Sequence, residues 1–169
     1  HTSPHIRLHS RRFSHRRRNR RQARSQGHQA RGRNQARQAL QTRQAMISHG
    51  VDIIDVARIA DMIERHADAF WNRVYTPAER DYCESNPKRL AEHAAARYAA
   101  KEAVLKCLGT GWRDGIAWTD IEVRRLPSGQ PILFLTGQAS LIAQSLGIRR
   151  WHLSLSHTAS LAIASAIAE

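Results

Sequence analysis

The stretch from Asn86 to Gly109 constrains this chain more than any other, because its composition permits little except one long helix. Its centre reads Arg97-Tyr98-Ala99-Ala100-Lys101-Glu102-Ala103-Val104-Leu105-Lys106. Ala, Leu and Lys are strong helix formers, Asn86 suits the N-cap, Pro87 suits the first helical position, and Gly109 can close the helix with positive φ. On such a cylinder Glu102 stands one turn after Tyr98 and one turn before Lys106, so a ring, a carboxylate and an ammonium share one side. Arg97 and Lys101 form a second, adjacent basic row. Taken alone, Glu102 and Lys106 are an ordinary surface pair worth about 0.3 to 0.5 kcal/mol. Any larger role must come from residues elsewhere in the chain.

The remaining elements follow from periodicity. Residues 46 to 54 form a short strand in which Val51 and Ile53 alternate with Asp52, so Asp52 points away from the face those two share. From Val56 the period lengthens, and Val56, Ile59, Ile63 and Ala67 predict a surface helix ending before Phe70. Thr76-Pro77-Ala78-Glu79 is a capping-box sequence that should open a short helix closing at Ser85-Asn86-Pro87. After a loop from 110 to 115, Ile121 and Val123 alternate with Asp120, Glu122 and Arg124. The turn residues Pro127-Ser128-Gly129-Gln130 then join this strand to the run from Ile132 to Leu135. Ala139, Ile142, Ala143 and Leu146 mark a helix closed by Gly147. Two further strands, from Trp151 and from Leu161 to Ile167, complete the chain. Hairpins flanked by helices predict an α+β fold with mostly antiparallel pairing around the long helix.

Charge divides the chain in two. The first 45 residues hold 13 Arg, no Lys and no acid, whereas residues 46 to 169 hold 14 Lys plus Arg against 14 Asp plus Glu, so the net charge of +13 lies in the extension. That extension has too few apolar residues to offset the ordering of its backbone, and is expected to be disordered. Its composition suits an organelle transit peptide, an arm that neutralises nucleic-acid phosphates, or an upstream stretch in front of a start at Met46. The abrupt change at Met46, just before the first strand, favours the last. Cys83 and Cys107 lack CxxC spacing, so neither a disulfide framework nor a zinc site is indicated, and a reducing, cytoplasmic setting is expected. No apolar run approaches the roughly 20 residues of a membrane span.

Four landmarks carry the chemistry: Gly50-Val51-Asp52-Ile53, the segment from Arg97 to Lys106, Gly129-Gln130-Pro131, and Ser154-Leu155-Ser156-His157. Neither GxDI nor AAKEA is specific alone. The ordered set GVDIIDVAR, FWNRVYTPAE, RYAAKEAVLKCLGTG, WTDIEV, SGQP and SLSH is. From about Ile47 to Glu169 the chain resembles the small single-domain 4'-phosphopantetheinyl transferases, the holo-(acyl-carrier-protein) synthase family. Residues 1 to 45 lie outside the resemblance.

The resemblance implies that the phosphopantetheine arm of coenzyme A is transferred to a serine of apo acyl carrier protein, with release of adenosine 3',5'-bisphosphate. It implies Mg²⁺ held by Asp52 and Glu102, and hard carboxylate oxygens suit that ion in phosphoryl chemistry. Glu102 is also a candidate to take the serine proton. Lys106 would hold the pyrophosphate or the leaving bisphosphate, and Arg97 another coenzyme phosphate. Gly129, Pro131, Ser156 and His157 would line the coenzyme pocket. Arg58, Met62, Phe70 and Arg73 would form the docking face for an acidic carrier protein. Ile54 stands where the larger two-repeat transferases carry a glutamate, so two protein carboxylates are expected. A homotrimer with active sites at subunit boundaries is implied as well.

Two other readings compete. Another Mg²⁺-dependent phosphotransfer or phosphohydrolase enzyme could use Asp52 and Glu102. A nucleic-acid binder could act through the arginine arm, but the domain is electrically neutral and carries no nucleic-acid signature. A Ser156-His157 hydrolase pair is rejected, since adjacent strand residues point to opposite faces and no GxSxG elbow is present.

Overall fold

The computed structural model describes residues 47–111 and 115–169, so the expectations for residues 1 to 45 and for part of the 110 to 115 loop lie outside the described residues. In chain order the elements are β1 (Ser48–Asp55), α1 (Val56–Val74), α2 (Pro77–Glu84), α3 (Leu90–Leu108), β2 (Ile121–Arg125), β3 (Pro131–Leu135), α4 (Gly137–Ser145), β4 (Trp151–His157) and β5 (Leu161–Ala168). Short 3-10 turns at Pro87–Arg89 and Trp118–Asp120 lead into α3 and β2. Strands β1, β5 and β4 make one antiparallel sheet in that order, and β2 pairs with β3 in a second. This is the expected α+β arrangement.

Helix α3 is the axis of the domain, and small residues explain why. Ala162, Ala164, Ala166 and Ala168 of β5 are fully buried against it, as are Ala94, Ala95, Ala99, Ala100 and Ala103 of the helix itself. Alanine facing alanine lets helix and sheet backbones approach closely. The approach is tightest at Gly50, where a Cβ would collide with the carbonyl oxygen of Ala103 and stand 3.0 Å from Cβ of Lys106. The alanines of β5 therefore serve the helix. The opposite sheet face carries Val51, Ile53, Leu161, Ile163 and Ile167, between 38% and 60% exposed. In β1 the alternation runs against the usual sense, with Gly50, Asp52 and Ile54 turned to α3 and the apolar Val51 and Ile53 turned outward.

Two helix boundaries differ from the expectation. The first helix does not end before Phe70. It kinks at Ala67, which has φ 42°, and continues to Val74, and the change of phase turns Phe70, Trp71 and Val74 into the core. Asn86 makes no side-chain cap. Held out of the helical region before proline, with φ −133° and ψ 87°, Asn86 starts a 3-10 turn and accepts the Arg89 N–H through its own carbonyl, and the α-helix begins at Leu90. Gly109 closes α3 with φ 72° as expected.

One buried ion pair joins three elements. Thr76 and Glu79 form the predicted capping box at the start of α2, and the same Glu79 carboxylate reaches into the interior. Its Oε2 accepts from Lys101 Nζ at 2.7 Å, and its Oε1 accepts from the Val123 N–H at 2.9 Å. Lys101 Nζ also donates to the carbonyls of Ile121 at 2.6 Å and Trp118 at 3.1 Å, so all three of its protons are used. Burial pulls the Lys101 ammonium below its ordinary range, while Glu79 opposes that shift. Lys101 thus belongs to the core and not to a basic surface row.

Candidate active site

The carboxylate locus is built where β1 crosses α3. The Gly50 contact sets β1 against the last turns of the helix, which places Asp52 beside Lys106. Lys106 Nζ donates to Asp52 Oδ1 at 2.9 Å and to the Val51 carbonyl at 2.6 Å. Glu102 lies one turn before Lys106 on the same side. Both carboxylates act on Tyr98, whose hydroxyl is pushed up by burial first, then by Glu102, with Asp52 adding to the shift and Arg58 opposing it. Asp52, Glu102, Tyr98 and Lys106 therefore form one charged neighbourhood.

The donor chemistry of this neighbourhood fits Mg²⁺. Asp52 Oδ1 already carries a cationic partner in Lys106. Among the described residues no group of three or more His, Cys, Asp or Glu side chains could enclose a metal.

Beside it, Arg58, Met62, Phe70 and Arg73 come together in a concavity of about 180 Å³ shared with Ile59, Val74, Tyr98 and Trp118. Tyr98 and Trp118 stack with ring centroids 4.7 Å apart. Phe70, only 6% exposed, forms part of the floor while its ring also packs edge-on against Tyr75.

A second cavity, of about 230 Å³, is strongly cationic. Helix α3 and the turn before it supply Arg89, His93 and Arg97, the β2–β3 hairpin supplies Arg125, Gly129 and Pro131, and β4 supplies His157. The Arg97 guanidinium lies 3.9 Å from the centroid of the Tyr82 ring and is only 3% exposed, which excludes a solvated helix charge. Arg125 donates through Nη1 to the Tyr82 hydroxyl at 2.7 Å and through Nε to the Gly129 carbonyl at 3.0 Å. Gly129 has φ 91°, a left-handed conformation that favours glycine, and a Cβ there would stand 2.9 Å from Arg125 Nη2, the movable end of that side chain. Arg89 bonds Glu92 at 2.9 Å, and the same Glu92 oxygen lies 3.1 Å from His157 Nδ1. The Arg89 hydrogen bond holds the Glu92 carboxyl below the usual carboxylate range.

The structure thus sorts the expected residues into two places. Arg97, Gly129, Pro131 and His157 share the cationic cavity, whereas Asp52, Glu102 and Lys106 are not among its lining. Five residues of helix separate Arg97 from Glu102, which is about 140° around the axis. Ser156 joins neither place, because it faces outward from β4 while His157 faces inward. Sequence reasoning missed Arg89, His93 and Arg125, which looked like ordinary helix or strand-end charges. Position next to the SGQP turn was the one available signal for Arg125.

Residues 48–164 match the family model described as the 4'-phosphopantetheinyl transferase superfamily. A holo-(acyl-carrier-protein) synthase of Koribacter versatilis is 50% identical over 124 residues, covering 73% of this chain and 98% of that protein. The crystal structure of the Neisseria meningitidis holo-(acyl-carrier-protein) synthase superposes with a TM-score of 0.66 at 33% identity, covering 73% of this chain and 99% of that one. A Bacillus anthracis holo-(acyl-carrier-protein) synthase in complex with CoA (3',5'-ADP) gives 0.60 at 36% identity, covering 73% and 97%. With its motifs, its fold and the match over residues 48–164 in agreement, the chain belongs to the 4'-phosphopantetheinyl transferase superfamily.

Proposed function

We propose that this protein is a holo-(acyl-carrier-protein) synthase that moves the 4'-phosphopantetheine arm of coenzyme A onto a serine of apo acyl carrier protein. The observation that carries the reading is the pairing of a carboxylate locus at Asp52 and Glu102 with a separate cavity rich in Arg and His. One suits the reacting phosphate and the other the anionic remainder of the coenzyme. Mg²⁺ held by Asp52 and Glu102 would neutralise the pyrophosphate oxygens and the charge on the departing phosphate. Lys106, half exposed, exchanges its bond to Asp52 for one to a phosphate oxygen. The acceptor serine oxygen forms a bond to the phosphorus that bears pantetheine, the bond to adenosine bisphosphate breaks, and Glu102 accepts the serine proton. Arg58, Met62, Phe70 and Arg73, next to this locus, receive the acidic carrier protein.

The two loci on opposite sides of α3 are best joined by a neighbouring copy, consistent with a homotrimer in which one subunit supplies Asp52 and Glu102 and another supplies the cationic cavity. Ser156, on the outward face, would then meet coenzyme or partner at the boundary. The exposed apolar face of Val51, Ile53, Leu161, Ile163 and Ile167 supports burial against a second copy. The buried free thiols of Cys83 and Cys107 fit a reducing, cytoplasmic setting, and among the described residues no helix is long and apolar enough to cross a membrane.

The test is incubation of the full chain with apo acyl carrier protein, coenzyme A and Mg²⁺, followed by mass measurement of the carrier. Addition of one phosphopantetheine is expected. Consumption of coenzyme A without any mass gain on the carrier would replace this reading with a phosphohydrolase. Ile163→Glu should yield monomers without transfer, and an active monomer in light scattering would overturn the shared site.

A further inference from the structure

We propose that His93 is a proton-gated phosphate ligand: its imidazole takes up a proton as the phosphomonoester of coenzyme A enters the cationic cavity, which makes coenzyme recognition depend on pH. This rests on the assignment of coenzyme A above. Among the described residues, two buried side-chain nitrogens have no hydrogen-bond partner, His93 Nδ1 and Arg97 Nε. They stand one turn apart on α3 and both residues line the same cavity. Native proteins rarely leave such atoms unpaired, and a ligand that brings acceptor oxygens into this cavity would satisfy both. Arg125 is engaged by Gly129 and Tyr82 and Arg89 by Glu92, while Arg97 donates through Nη1 to the His93 carbonyl at 3.2 Å and leaves its buried Nε unpaired.

The acceptor must be anionic. Around His93 stand Arg97 and Glu92 on α3, Arg89 in the turn before it, the Tyr82 ring of α2 at 5.1 Å, the His157 ring of β4 at 6.0 Å, and Arg125 across the cavity from β2. Glu92 is the one carboxylate in that set, and it is bridged to Arg89 and His157. Burial foremost, then Arg97, Arg89 and His157, hold His93 below the ordinary histidine range while Glu92 opposes them. A phosphate dianion between His93 and Arg97 reverses that balance, because Nδ1–H then donates to a phosphate oxygen and its charge is compensated. Coenzyme A has a single phosphomonoester, at the 3' position, with a second pKa of about 6. Its pyrophosphate is fully ionised at neutral pH and takes up no proton of its own.

Calorimetry of the full chain with coenzyme A near pH 7, in buffers of different ionisation enthalpy, reads the proton directly. Net uptake of a sizeable fraction of one proton per site is expected with coenzyme A and close to none with dephospho-coenzyme A. His93→Gln should abolish the uptake and weaken coenzyme A binding about tenfold near pH 6, with a smaller loss near pH 8. NMR titration of the His93 ring in the parent protein, with and without adenosine 3',5'-bisphosphate, needs no variant and should show its pKa rising on binding. Coenzyme A binding without proton uptake, uptake unchanged in His93→Gln, or a His93 pKa that does not move would overturn the inference while leaving the transferase reading intact. Failure of the parent chain to bind coenzyme A at all would overturn the transferase reading itself.

Discussion

Replacing Lys101 with Met tests whether α3 is held by a charged core. The side chains are close in volume, so packing changes little, but the substitution removes a donor that satisfies Glu79 Oε2 and the carbonyls of Ile121 and Trp118. It leaves the Glu79 carboxylate buried with only the N–H groups of Thr76 and Val123 to solvate it. Breaking a buried pair from one side typically costs about 3 to 5 kcal/mol, because a charge remains without its partner. For a domain of this size that lowers the melting temperature by about 10 to 20 °C. Urea or thermal unfolding followed by circular dichroism, at one fixed protein concentration so that assembly does not confuse the comparison, measures it. The double variant Lys101→Met with Glu79→Gln removes both charges and should recover about 1 to 3 kcal/mol of the loss. A single variant that loses less than about 1 kcal/mol, or a strictly additive double variant, would refute the view that this pair is charged and mutually dependent.

Three further outcomes follow from the site and its supports. Asp52→Ala and Glu102→Ala should each lower transfer by at least about 10²-fold with the fold intact, whereas Lys106→Ala should lower it less and keep its Mg²⁺ dependence; carrier loading at saturating substrate checks all three. Gly50→Ala should cost about 1 to 3 kcal/mol or more and displace Asp52 from Lys106, since the new methyl falls on the Ala103 backbone; a variant with parental melting temperature and rate would show that β1 can shift freely. Deleting residues 1 to 45 should leave the maximal rate at physiological salt unchanged, while any gain the 13 arginines give to encounter with an acidic carrier fades as salt shortens the screening length to about 8 Å. A fall in maximal rate at saturating carrier would place the arm in the working enzyme.

Local rules were enough for much of the fold. Helical composition and Gly109 located α3, the Thr76 to Glu79 sequence located the start of α2, alternation located β2 and β4, and the run of small and apolar residues from Leu161 located β5. They failed at Asn86, where the backbone preference before proline replaced side-chain capping, and at Ala67, where a kink no periodicity announces carries the helix on to Val74. The proposed carboxylates and Lys106 could be singled out because GxDI and KEAxxK are ordered motifs and because helical spacing alone aligns Glu102 with Lys106.

The sequence by itself determined which segments are helix or strand and which residue types could bind a metal or a phosphate, because those depend on near neighbours in the chain. Tertiary structure alone decided the fates of neighbouring charges. Arg97, Lys101 and Lys106 look alike in the sequence, yet one lines a cavity, one is sealed in a core ion pair and one bonds Asp52 at the surface. It also brought His93, Arg125 and His157 from three separate elements to one cavity. The physical reason is that desolvation and Coulomb interaction depend on distance in space, and those distances are set by how closely an alanine-faced sheet lets α3 approach.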